Sequence, residues 1–398
     1  MDVNGTHQLT YCTNIHPGSN WESTFTSLKE FVPGIKAKVS PDRPFGLGLR
    51  LSNKASEELD EASHLTEFKG WLERHSLYVF TMNGFPYGNF HGERVKEEVH
   101  APDWTTRERV TYTKRLFEQL AELLPSGMSG GISTSPISYK YWYATKDLKR
   151  KAFETGARHL SEIVLQLYDL ESGTGKYLHL DLEPEPDGLL ENSEEVLGFF
   201  ADYLLPIAIP VLQDTIRVDE AEAERLIKKY ITVCYDICHF SLAYEEPEYT
   251  FQKFAKEGIQ VGKIQVSAAL KILFDERDQD AIWASLSHFD EPTYLHQVTE
   301  KKEDGKVKTY NDLPIVLEEK NDFTELRAHF HVPIFLERFD TLFSTQDHIV
   351  KVIDYLKEHS VSEHLEIETY TWDVLPKGLK RDLSESIIRE INWLKERM

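Results

Sequence analysis

The stretch Tyr177-Leu-His-Leu-Asp-Leu-Glu-Pro-Glu-Pro-Asp-Gly188 alternates with period two, placing His179, Asp181 and Glu183 on one face of a strand and three leucines on the other. The leucine face requires an apolar cover. Pro184 cannot continue a hydrogen-bonded ladder, so the strand ends where the Glu183 carboxylate projects. Taken alone, the pattern fits two structures: an antiparallel strand with one wet face, or a buried strand whose column of acids marks an active site.

The runs around it decide between the two. Short β-rich runs at residues 9–15, 45–51, 77–82, 130–133, 177–183, 231–238, 262–267, 326–332 and 365–370 alternate with helical spacing at 53–74, 105–124, 141–170, 219–230, 345–359 and 380–395. Thr105-x-x-Glu108 has the form of a capping box. Alternation of this kind implies parallel strands with crossover helices. The predicted class is therefore α/β, a (β/α)8 TIM barrel occupying residues 1–398 as a single domain, since no repeat or linker divides the chain. Nine runs exceed eight by one, so one of them is an insertion or a rim strand. Residues 291–319, with Glu303-Asp-Gly305 between two short β-rich runs, read as a charged hairpin inserted late. A surface lid, a homo-oligomer contact and a simple excursion all fit it.

Composition narrows the function. The 398 residues carry 67 acidic against 45 basic side chains, a net charge of −22 that repels phosphate backbones and argues against nucleic acid as a partner. Cys12, Cys234 and Cys238 are too few for a disulfide framework, and the latter two are expected to share a buried strand face. No basic-then-apolar leader and no run long enough to span a bilayer are evident, so a cytoplasmic protein without direct membrane insertion is expected. Gly173-Thr-Gly-Lys176 lacks the upstream glycine of a phosphate loop, and Gly46-Leu-Gly48 lacks the third glycine of a dinucleotide fingerprint.

The inner faces predicted by parity are polar. Lys263, Gln265 and Ser267 fall together, as do Arg327, His329 and His331, and then Glu366 and Glu368, each set opposite apolar neighbours. Barrel interiors are normally filled by branched apolar side chains, so polar columns argue for a site at the carboxyl ends of the strands. Ile231-Thr-Val-Cys-Tyr-Asp-Ile-Cys-His239 sets Asp236 near a strand end and His239 three residues later; Asp236 is a metal ligand or a cap on the next turn. The mixed oxygen and nitrogen shell favours a divalent ion such as Mn²⁺, Mg²⁺, Co²⁺ or Zn²⁺. At the rim, Asn14 and His16 beside Trp21, and Asn83 and His91 in a Gly- and Pro-shaped loop, suit a small polyol, sugar or other metabolite.

Leu9-Thr-Tyr-Cys-Thr-Asn-Ile-His-Pro-Gly18, Asn83-Gly-Phe-Pro-Tyr-Gly88 with Phe90 and His91, Ala101-Pro-Asp-Trp104, Ser133-Thr-Ser-Pro136, residues 178–188 and His329-Phe-His-Val-Pro333 occur in that order. With them, most of the chain resembles the xylose isomerase-like TIM barrels, and more closely the EboE-type metabolite traffic proteins of that superfamily. In its sugar epimerases a metal lies between a Glu before Pro, an Asp on the next strand, a His on the following strand and a Glu on the last. The resemblance implies Glu183, Asp236 and Glu368 as ligands and His239 as a substrate-binding imidazole. Gln265 stands where the His would fall, so either its amide ligates or His329 or His331 supplies the imidazole.

The expected activity is metal-dependent isomerisation or epimerisation of a small polyhydroxylated or carbonyl metabolite, and the EboE-type resemblance implies a role in metabolite traffic. A carboxylate would move the proton, with Glu183, Glu185 and Glu368 as candidates. Glu183, Glu368 and His239 are the expected catalytic groups; Asn14, His16, Asn83, His91, Glu185 and Lys263 are the expected substrate contacts. Two rivals use the same barrel. One is a non-catalytic carrier, which the Gln265 departure favours; the other is a metal-dependent phosphodiesterase or endonuclease, which the acidic charge disfavours.

Overall fold

In a computed structural model, which describes residues 1–88, 96–274, 278–291, 294–369 and 382–398, the strand Leu178–Leu182 is buried on both faces and paired in parallel on both edges. That removes the wet-face alternative. In chain order the strands are β1 (Asp2–Val3), β2 (His7–Tyr11), β3 (Phe45–Arg50), β4 (Leu77–Asn83), β5 (Gly130–Thr134), β6 (Leu178–Leu182), β7 (Ile231–Asp236), β8 (Val261–Val266), β9 (Leu270–Leu273), β10 (Val298–Lys301), β11 (Val307–Tyr310), β12 (Glu325–Ala328), β13 (Arg338–Phe339), β14 (Leu342–Ser344) and β15 (His364–Ile367).

The main sheet runs β1-β2-β15-β8-β7-β6-β5-β4-β3, parallel throughout except for β1. Sequential strands are neighbours, and the last returns to the first, as a (β/α)8 barrel requires. Its ends meet between β2 and β3: Cys12 bridges Gly48 in parallel, and Thr10 Oγ1 donates to Gly46 O at 2.8 Å while accepting from Gly48 N at 3.1 Å. Gly48 and Gly262 give room to the deep acids, because a Cβ at either would overlap the carboxylate of Glu366 or Asp181.

A second sheet, β11-β10-β12-β9-β14-β13, is antiparallel and inserted between β8 and β15. It accounts for the ninth run. Residues 326–332 do not line the barrel as a strand; β12 ladders with β9 and β10, and the chain leaves it at His329. Arg327 consequently lies apart from His329 and His331, its guanidinium donating to Ser241 O at 2.5 Å and lying over the Tyr244 ring. The expected late hairpin is β10–β11.

Three local expectations are corrected. The 231–238 run stops at Asp236, whose side chain caps the helix Ile237–Leu242, so Cys238 is helical and shares no strand face with Cys234. The 53–74 pattern is two helices, Asn53–Leu59 and Ala62–Arg74. The helix after Thr105 starts at Arg107 with Thr106 as its cap, because Thr105 Oγ1 donates to Asp103 Oδ1 at 2.6 Å instead.

Several helices lie outside the expected runs, among them Trp21–Val39, Pro247–Lys256 and Ser193–Ile216. Ser193–Ile216 is long and apolar enough to cross a membrane by length and composition, a property masked in the sequence by Asp202, Pro206 and Pro210. Here Val196, Phe199, Leu204, Ala208 and Leu212 face inward, and its second half packs on the helices Lys146–Thr174 and Glu220–Tyr230.

Candidate functional site

Strand ends deliver three acids to one point. Glu183 follows β6, Asp236 closes β7 and Glu368 follows β15; all are buried, and their carboxylate oxygens lie within 4.8 Å of one another. Glu183 N donates to Thr134 O at 3.0 Å, the last ladder bond before Pro184. Asp236 Oδ1 accepts from Ser267 Oγ at 2.7 Å and from His239 N at 3.1 Å. Glu368 Oε1 accepts from Asn14 Nδ2 at 2.7 Å and Asn83 Nδ2 at 2.9 Å. Asp236 Oδ2 and Glu183 Oε2 have no hydrogen-bond partner among the described residues.

Such a cluster is electrostatically unfavourable unless compensated. Burial pushes the Glu183 carboxyl well above the usual range, with Glu368 and Asp236 adding to the effect. Burial does the same to Glu368, reinforced by Asp236 and Glu366. Lys263 does not answer this charge directly: its Nζ bonds Glu366 Oε2 at 2.7 Å, deeper in the barrel, with both side chains fully buried. Burial works against the ammonium, but Glu366 beside it holds the Lys263 pKa above its ordinary value. Buried, like-charged carboxylates must be protonated or neutralised by a cation. An all-oxygen triad of this kind suits a hard divalent ion.

Gln265 pairs in register with Asp236 on one side and Glu366 on the other. It is fully buried; Oε1 accepts from Cys234 Sγ at 3.0 Å, and Nε2 has no partner among the described residues.

Beside the acids lie three imidazoles. His239 Nδ1 is 3.0 Å from Pro184 O, His329 Nδ1 is 2.8 Å from Gln297 Oε1, and His331 Nδ1 is 2.7 Å from Glu368 O. Burial, then the neighbouring histidines, pushes the pKa of His239 and of His329 well below the ordinary value. Glu185, on the rim loop, has its carboxylate 2.9 Å from His100 Nε2.

A cleft opens over this ground. Of the residues expected from the sequence, Asn14, Asn83, Glu183, Glu185, His239, His329, His331 and Glu368 line it. Asp236 and Gln265 sit beneath. Lys263 and His16 lie away from the lining; His16 stacks on Phe31 at 4.5 Å, with Nε2 2.9 Å from Tyr11 OH. His91 is outside the described residues. His179 and Asp181 lie deeper, bonded to each other at 2.6 Å. Phe85, expected on the loop after β4, also lines the cleft, as do His100, Tyr294 and Gln297, which were not expected at the site. Gln297 belongs to the inserted segment and His100 to a 3-10 turn, and neither place signals a cleft residue.

No family model and no curated protein matches the chain. Solved structures similar to it include the IOLI protein with a binding zinc atom, at 12% identity over 97% of this chain and 96% of that one, TM-score 0.46. A xylose isomerase-like TIM barrel protein from Mycobacterium smegmatis in complex with magnesium is 9% identical over 100% and 98%, TM-score 0.49. A D-tagatose 3-epimerase-like protein is 12% identical over 98% and 96%, TM-score 0.48. The barrel assignment rests on the strand order of this chain.

Proposed function

We propose that this chain is a metal-dependent isomerase or epimerase acting on a small polyhydroxylated or carbonyl metabolite, in the metabolite-traffic role that the EboE-type resemblance implies. One observation carries the reading. Glu183, Asp236 and Glu368 converge in a buried site where their ion pairs among the described residues are long contacts, 3.8–3.9 Å, to His239 and His331.

The three carboxylates fit a divalent ion, with the Gln265 amide or the His331 imidazole completing the donor set. A bound ion would polarise adjacent substrate oxygens and ease loss of a proton from the carbon between them. The protein's own groups do the rest. Asn14 and Asn83 fix one oxygen of Glu368 and leave the other to the site. Glu183 lines the cleft beside the other two acids and is the carboxylate placed to hold and return a proton. His239 and Glu185 line the cleft beside the acids, and Phe85 and Tyr294 supply an apolar wall.

Gln265 favours a second reading, a carrier that retains the ion and lacks turnover, since an amide is a poorer donor than the imidazole the resemblance leads one to expect. Incubation of the metal-loaded chain with a panel of aldoses and ketoses in deuterium oxide separates the two. Deuterium entering the carbon next to the carbonyl, lost in Glu183→Gln, supports the enzyme. Ligand-induced thermal shifts without exchange support the carrier.

A further inference from the structure

Hydrogen-bond roles fix the tautomers of the imidazoles. Pro184 O can only accept, so His239 Nδ1, 3.0 Å away, carries the ring proton. Gln297 Nε2 donates to Pro186 O at 3.2 Å, which turns its Oε1 toward His329, and His329 Nδ1 must donate to that oxygen at 2.8 Å. Each neutral ring is therefore left with a lone pair on Nε2. Those two Nε2 atoms lie 3.0 Å apart, on rings set at 89° to each other and both buried.

Two acceptors at hydrogen-bond distance repel unless something positive lies between or beside them. A proton shared by the pair, making one ring an imidazolium, is one way to relieve this. A coordinated cation relieves the repulsion without charging either ring. An Nδ1–H bonded to a carbonyl oxygen, with Nε2 turned inward, is also how metal-binding histidines are held. Glu185 completes the group: one of its carboxylate oxygens and a nitrogen from each ring lie within 4.8 Å of one another, and His100 Nε2 is 2.9 Å from the carboxylate.

We propose that His239, His329 and Glu185 form a second cation site beside the carboxylate triad, selective for a borderline transition ion such as Zn²⁺ or Co²⁺ over Mg²⁺. The inference rests on reading the cleft as a cation pocket and adds an ion to it. Donor chemistry separates the two sites: three carboxylates suit hard ions, whereas two imidazoles and one carboxylate suit a borderline one. His331 connects them, because a nitrogen of it, an oxygen of Asp236 and a nitrogen of His239 also fall within 4.8 Å of one another. Both His329 and its partner Gln297 come from the stretch inserted between β8 and β15. The second sheet thus contributes to the chemistry, bringing an imidazole and its orienting amide over a barrel that already holds the acids.

Stoichiometry tests this, measured by elemental analysis and calorimetry on the chelator-stripped full chain. Two Zn²⁺ or Co²⁺ per chain and one Mg²⁺ are expected. His329→Ala should bind one Zn²⁺ and keep its Mg²⁺. Gln297→Leu, which leaves every ligand in place but takes the acceptor from His329 Nδ1, should weaken the second Zn²⁺ about 10–100-fold. Loss of part of the visible Co²⁺ absorption in His329→Ala, with an unchanged melting profile, would accompany it. A single Zn²⁺ in the wild-type chain at saturation, or two retained in His329→Ala, overturns the proposal. Failure of the carboxylate reading looks different: Glu183→Gln would then leave Mg²⁺ binding unchanged, whatever happens at the histidines.

Discussion

Oδ1 of Asp236 lies 3.1 Å from the backbone N of His239, so the carboxylate caps the short helix that carries the histidine while Oδ2 is left to the acid cluster. The cap and the ligand are the same residue. Asp236→Asn keeps a capping oxygen and should cost little stability; Asp236→Ala loses the cap, about 1 kcal/mol, and strands the Ser267 hydroxyl. Both should lose Mg²⁺ binding, which the carboxylate triad alone is expected to provide. Thermal melts paired with elemental analysis check this, and wild-type ion content in Asp236→Asn would remove the residue from the ligand set.

The raised carboxyls of Glu183 and Glu368 make the metal-free chain sensitive to pH in a defined direction. Above the unfolded value of about 4.3, the folded state holds protons that the unfolded state has released, so stability falls as pH rises toward the folded pKa values. His239 and His329 act oppositely, but their lowered pKa values mean that their contribution is complete by about pH 6.5. Once the histidine contribution is complete, the chelated protein should therefore melt progressively lower as pH rises toward those carboxyl pKa values, and a divalent ion should raise the melting temperature more at the higher pH. Glu183→Gln should flatten the metal-free slope. A slope as steep in that variant as in the wild type would contradict the assignment.

Much of this was legible in the sequence because strand parity is a strong signal. Alternation along 177–183 and 365–370 placed Glu183 and Glu368 at strand ends, and the strand order brings both together with Asp236. Parity misled at 326–332, where it assumed a barrel strand: β12 belongs to the second sheet, and His329 and His331 reach the cleft only after the chain has left the ladder. Gln297 falls in the first run of the expected hairpin and His100 in a 3-10 turn, and neither place signals the contacts with His329 and Glu185, which exist only in three dimensions. The capping role of Asp236 was one of two readings, and the fold uses the two oxygens of one side chain for different ends.

Asn14 and Asn83, from the turn after β2 and the end of β4, both donate to the same oxygen of Glu368. Replacing Asn83 by Ala removes one donor from a buried carboxylate, a cost of about 1–3 kcal/mol, and also the acceptor for Phe85 N at 3.0 Å. Divalent-ion affinity should fall with it, because Glu368 loses part of what fixes its orientation. Calorimetric titration of Asn83→Ala against Asn83→Ser, which retains a hydroxyl donor, would show whether the effect follows the hydrogen bond.

Lys263 and Glu366 form an ion pair at 2.7 Å in the barrel interior, away from the cleft lining, and neither side chain is exposed. Removing one partner of such a pair leaves a buried charge uncompensated and typically costs about 3–5 kcal/mol, whereas replacing both with apolar groups of similar volume is close to neutral. Lys263→Met should lower the melting temperature sharply, and Lys263→Met combined with Glu366→Leu should recover most of the loss. Ion stoichiometry in the double variant should match the wild type, since neither side chain belongs to the cluster of Glu183, Asp236 and Glu368. A Lys263→Met chain that melts like the wild type but no longer binds its metabolite would instead make the ammonium a substrate contact.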